Sequence, residues 1–91
     1  MKKVFKPIIE DYVDAASHSE SAQYYVAIGT ECWSDGREEV VVKVQMSYNG
    51  RRVGRMSPSY PVDAGDWDRV NKRVQELLAE YSNDRRIRNS C

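Results

Sequence analysis

The chain has 91 residues, 41% of them apolar and 31% charged, with 14 basic residues against 14 acidic ones. That length suits one domain that folds alone and is too short for two. A net charge of zero supplies no global field toward nucleic acid or a membrane surface, and no stretch approaches the roughly 20 apolar residues of a membrane-spanning helix.

Met1-Lys2-Lys3 is not followed by the apolar core of a signal peptide, because Lys6, Pro7, Glu10 and Asp11 interrupt it. Next, "KPIIEDYVDAA" predicts a short amphipathic helix: Pro7 suits a first turn, and Ile8, Ile9, Tyr12, Val13 and Ala16 recur at the helical period. Phe5 leads into that helix, and "SHSES" reads as a loop.

"QYYVAIGTECW" and "EEVVVKVQMSY" predict two strands. Tyr24, Val26, Ile28, Thr30 and Cys32 share one face of the first, and Val40, Val42, Val44, Met46 and Tyr48 share one face of the second. Apolar faces coincide only if the connecting loop is Ser34-Asp35-Gly36, pairing Trp33 with Arg37, Thr30 with Val40 and Ile28 with Val42. Asn49-Gly50 predicts a two-residue turn into a third strand from Arg51 to about Ser57, pairing Tyr48 with Arg51 and Met46 with Val53. Pro58 and Pro61 end it.

"VDAGDWDRVNKRVQELLAEY" predicts the last helix, with Trp67, Val70, Val74, Leu77, Leu78 and Tyr81 on one stripe. Asp63 is the expected N-cap, and Val62 with Trp67 has the spacing of a hydrophobic staple. Residues 1–84 therefore read as one domain and 85–91 as a basic, flexible tail. The expected fold is α+β: a two-layer domain in which two helices pack on one face of a three-stranded antiparallel sheet, in the order α-β-β-β-α.

That order, with the strand–turn–strand "VKVQMSYNGRRVGR" and its glycine after the turn, resembles the double-stranded RNA-binding domain in architecture. The resemblance implies a phosphate-contacting site at the start of the last helix, where that family places lysines. Asp63, Asp66 and Asp68 stand there instead, and the hairpin loop "WSDGREE" lacks the family's histidine.

Catalytic chemistry has little to draw on. His18 is the one histidine, set among serines; Cys32 falls on an apolar strand face, as a small core residue does. The acids at the start of the last helix suit its dipole. No phosphate-binding loop, metal set or cofactor motif is present, so a non-enzymatic protein without cofactors is expected. Cys32 and Cys91 are too few for a disulfide framework, and the expected setting is soluble, cytoplasmic and reducing.

Two binding modes follow. Tyr25, Trp33, Val41, Lys43 and Gln45 share the sheet face that no predicted helix covers, which suits a protein partner or a homodimer. The alternative is weak nucleic-acid binding by Arg51, Arg52, Arg55, Arg69, Lys72, Arg73 and the tail residues Arg85, Arg86 and Arg88. Size and lack of motifs fit the small accessory proteins of phages and mobile elements.

Overall fold

The computed structural model describes residues 2–83; the expected tail at 85–91 lies outside them. The chain forms β1 (Lys3–Asp14), β2 (Ala22–Trp33), β3 (Glu38–Tyr48), β4 (Arg51–Val53) and α1 (Asp66–Asn83). The strands make one antiparallel meander in the order β1-β2-β3-β4. Four strands and one C-terminal helix thus replace the expected three strands and two helices, and the likeness to the RNA-binding architecture goes with the missing first helix.

The segment expected to be that helix is the edge strand β1, and a bulge explains the misleading period. Pro7 pairs with Gly29 and Ile9 with Ile28, so Ile8 is the extra residue. Before the bulge the even positions Val4 and Lys6 lie opposite Cys32 and Thr30; after it the odd positions Ile9 and Val13 face the core. The one-residue phase change turns an alternating pattern into something near the helical repeat. Tyr12 points to the other face and is exposed. The β-branched and aromatic residues of "VFKPIIEDYV" favour a strand. Pro7 is tolerated because β1 lies at the sheet edge.

The hairpins follow the hydrophobic register. Thr30 pairs with Val40 and Ile28 with Val42. Gly36, at φ 94°, closes the Ser34–Gly36 loop, with Trp33 N–H bonded to the Arg37 carbonyl at 2.9 Å. Asn49 and Gly50 have φ of 53° and 79°, the paired left-handed conformation of a type I′ turn. It sets Tyr48 opposite Arg51 and Met46 opposite Val53. β4 ends at Val53, short of the expected Ser57.

The helix α1 lies on one face over β1 and β2. Val70 and Leu77 are buried from it, with Val74, Leu78 and Tyr81 beside them, against Tyr24, Val26, Ile28 and Met46. Its start differs from expectation. The Gly65 carbonyl accepts from Arg69 N–H at 3.2 Å and Gly65 has φ 73°, so the chain enters the helix at Gly65 rather than Asp63. Counting back from Val70 by one turn gives Asp66, not Trp67, as the inward residue. Val62 and Trp67 form no staple against the core; they are 95% and 57% exposed.

The face without a helix is closed by its own side chains. Phe5 lies flat over Gly29: a Cβ there would sit 2.5 Å from the Lys6 carbonyl oxygen and 2.6 Å from Phe5 Cζ. Gly29→Ala is therefore expected to lower stability by about 2 kcal/mol, since the Lys6 carbonyl is backbone and cannot give way without strain. Urea unfolding measures it. Truncating Phe5 in the same chain is expected not to restore the loss, because the Lys6 backbone still blocks the methyl.

Candidate functional site

Asp66 opens α1, and its side chain is 0% exposed. Three parts of the chain donate to it. Ser17 Oγ lies 2.6 Å from Oδ2, Tyr24 Oη 2.6 Å from the same oxygen, and Arg69 Nη2 2.9 Å from Oδ1. These bonds, Ser17's first and Tyr24's next, hold the carboxyl below its ordinary range against the opposing effect of burial. Arg69 also donates to the carbonyls of Ala64 at 2.9 Å and Asp14 at 3.3 Å, bracing the helix start on the end of β1.

His18 completes the network. Its Nε2 lies 2.9 Å from the Ser59 carbonyl and 3.0 Å from Tyr24 Oη. A carbonyl only accepts, and the single Tyr24 hydrogen goes to the nearer, charged Asp66. The imidazole therefore carries a hydrogen on Nε2 and donates it to Ser59. Burial first, and then the Asp66 carboxylate, push the Tyr24 phenol well above its usual range. Loop, sheet, crossing segment and helix thus meet at one carboxylate. The arrangement is a clamp: each donor is engaged in holding the fold.

Outside the clamp lies a cleft. Tyr60 stacks obliquely on Tyr24, ring centres 5.1 Å apart, and Trp67 meets Tyr60 edge-on, also at 5.1 Å. Tyr60, Pro61, Val62, Gly65, Trp67 and Asp68 line a cleft of about 400 Å³ open to solvent. Asp63 and Asp68 are exposed beside it.

The residues expected to form a sheet-face interface are distributed otherwise. Tyr25 is fully buried. Arg52 caps its ring, Cζ 4.6 Å from the centroid; Tyr12 packs against it at 5.5 Å; and its hydroxyl donates to Glu10. Trp33 is half-buried beneath Lys3 and Arg37, which lie 5.7 and 5.2 Å from its ring. Glu31 binds Lys3 at 3.0 Å and Lys43 at 3.3 Å, and these ammonium groups, Lys3's first, hold its carboxyl low. Val41, Lys43 and Gln45 lie along β3 toward the sheet margin.

Among the described residues the basic side chains do not form one surface. Arg51 and Arg52 sit on β4, with Arg55 just beyond, and alternation sends the first two to opposite faces. Arg69 is held by Asp66, and Arg73 by Asp11 at 2.6 Å and Glu76 at 3.2 Å, on the β1 side. The two groups lie at opposite margins of the sheet. Lys72 is exposed on α1; Arg85, Arg86 and Arg88 are outside the described residues. Cys32 is buried, 8% exposed, on the helix-side face of β2. Among the described residues no helix is long and apolar enough to cross a membrane.

Sequence reasoning groups Asp66 with Asp63 and Asp68 as dipole complements and places Trp67 inward. The signal that separates them is Gly65: a helix entered there puts Asp66 in phase with Val70 and Leu77. Comparison of the chain with models of protein families, with curated proteins and with solved structures finds no match.

Replacing Asp66 with Asn leaves three donors facing an amide. A loss of about 3 kcal/mol at pH 7 is expected, read by urea unfolding. The sign with pH follows from the depressed value: the wild-type contribution is whole above the ordinary carboxylate range, near pH 4, and disappears as pH falls through the lower folded value. The gap between wild type and Asp66→Asn is therefore expected to close in acid.

Proposed function

We propose that this chain is a small protein-interaction module that docks a partner protein at the Tyr60–Trp67 cleft. The observation that carries it is the pair of large apolar side chains, Val62 at 95% and Trp67 at 57% exposure, beside a cleft on a rigid foundation. Packing into the core would have hidden them, and solvent exposure of that size is unfavourable unless something covers it. Tyr and Trp are the side chains that most often anchor protein interfaces. The clamp beneath keeps Tyr60 in place, so little ordering is required on binding.

Charge specifies the partner's chemistry. Asp63 and Asp68 flank the cleft, while the nearby Arg69 is already bound to Asp66. The matching segment presents an apolar or proline side chain for the aromatic cleft with lysine or arginine next to it. The expectation of a protein partner is kept, but its surface moves from the centre of the helix-free face to the start of the helix.

The test is selection of peptides from a random display library against the intact chain. Enriched peptides are expected to pair an apolar anchor with adjacent basic residues, and to bind Trp67→Ser at least about tenfold more weakly, the contribution of one good anchor. Thermal melting of Trp67→Ser is expected to stay near wild type, as the ring is exposed. Binders indifferent to Trp67, or none at all, would sink the proposal.

A further inference from the structure

β3 is an inner strand only at its C-terminal end. β4 pairs with Met46, Ser47 and Tyr48 and no further. From Glu39 to Val44 no strand among the described residues pairs with the outer side of β3. This margin reads Glu-Val-Val-Val-Lys-Val. It has high strand propensity, no proline or glycine, and Val40 and Val42 are 47% and 44% exposed. Sheets normally protect such an edge, because its free N–H and C=O groups template another strand.

The direction of those groups is fixed by the turn. Tyr48 and Arg51 flank a two-residue hairpin, so both backbone groups of Tyr48 point toward β4. Alternation then turns the groups of Val44, Val42 and Val40 outward along the free edge, and those of Val41 and Lys43 toward β2.

We infer that two copies of this chain associate by antiparallel pairing of their β3 edges about a two-fold axis at Val41. Register decides the matter. With the axis at Val41, Val40 lies opposite the second copy's Val42 on the helix-side face. On the other face Glu39 lies opposite the second copy's Lys43, twice by symmetry. Opposite charges across a strand pair are favourable. Moving the axis to Val40 sets Glu39 against Val41 and Glu38 against Val42; moving it to Val42 sets Lys43 against Val41. The Val42 axis also matches Val40 with Val44, but of these three only the Val41 axis matches acid with base as well as valine with valine. Lys43 lies on this face, where its ammonium is 3.3 Å from Glu31 and 4.7 Å from the Phe5 ring; on pairing it is shared between Glu31 and the second copy's Glu39. Two meanders joined this way form one eight-stranded sheet, an isologous pairing. The surface is distinct from the Tyr60–Trp67 cleft, and the inference does not rest on that proposal.

Sedimentation equilibrium of the full chain tests it. The wild type is expected to show a concentration-dependent monomer–dimer equilibrium. Glu39→Lys turns both charge pairs repulsive and is expected to weaken the dimer about tenfold, while its melting, followed at a concentration where both proteins are monomeric, stays near wild type because Glu39 is exposed. Lys43→Glu is expected to weaken it likewise. When the two variants are mixed, one cross-strand pair sets the introduced lysine at position 39 against the introduced glutamate at position 43. The other pair keeps the native Glu39 opposite the native Lys43, so a heterodimer is expected to recover. The double variant Glu39→Lys/Lys43→Glu restores both pairs in a homodimer and serves if Lys43→Glu alone folds poorly. A chain that stays monomeric, or a dimer that Glu39→Lys leaves unchanged, would overturn the inference. So would a mixture and a double variant that both fail to recover.

Discussion

A carboxylate withdrawn from water needs donors to meet its charge, and at Asp66 they come from a loop, a strand and the helix itself. Ser17, Tyr24 and Arg69 are separated by as many as 52 positions, yet all three reach one side chain. Hydrogen bonds to charged groups are the stronger kind, and removing the acceptor would leave several donors unmet. The clamp sets where α1 begins and which way it is rotated. With Asp66 inward, Val70 and Leu77 face the sheet and Trp67 cannot. Tyr60, resting on Tyr24, is placed by the same network. The exposed cleft is thus a consequence of the buried acid.

The other face solves a different problem. Among the described residues, one side of the four-stranded sheet carries no helix. Here long side chains lie down on it: Phe5 over Gly29, Arg52 over Tyr25, Lys3 and Arg37 beside Trp33. Charged heads stay near water while their stems and neighbouring rings shield the backbone. Arg73 to Asp11 also ties the helix to β1, and Lys43 to Glu31 ties β3 to β2.

Both hairpins are legible in the sequence, because turn chemistry and alternation agree there. Gly36 and Asn49-Gly50 each permit one register, and the valines of β3 choose it. The first strand is not legible as a strand. Its bulge at Ile8 shifts the alternation by one, so Ile8, Ile9, Tyr12 and Val13 imitate a helix, and Pro7 at an edge strand reads equally as a helix start. The last helix is legible in extent but not in rotation. An acid at an inward position violates the apolar pattern, so the pattern assigns that position to Trp67. Tyr25 misleads for a related reason: alternation gives the face on which a side chain lies, not what folds over it.

The same physics governs what the molecule offers to others. Apolar surface that the clamp turns outward and backbone groups that β4 leaves unpaired are two places among the described residues where burial is incomplete. The first depends directly on α1 being locked to the sheet through a charged Asp66. The most direct test is a carboxyl carbon-13 NMR titration of that residue. The account predicts a midpoint below the ordinary 3.8, with the Tyr24 and Ser17 signals moving at the same pH. A midpoint at or above 3.8 would mean that burial outweighs the donors, and the clamp would not be what holds the helix in place.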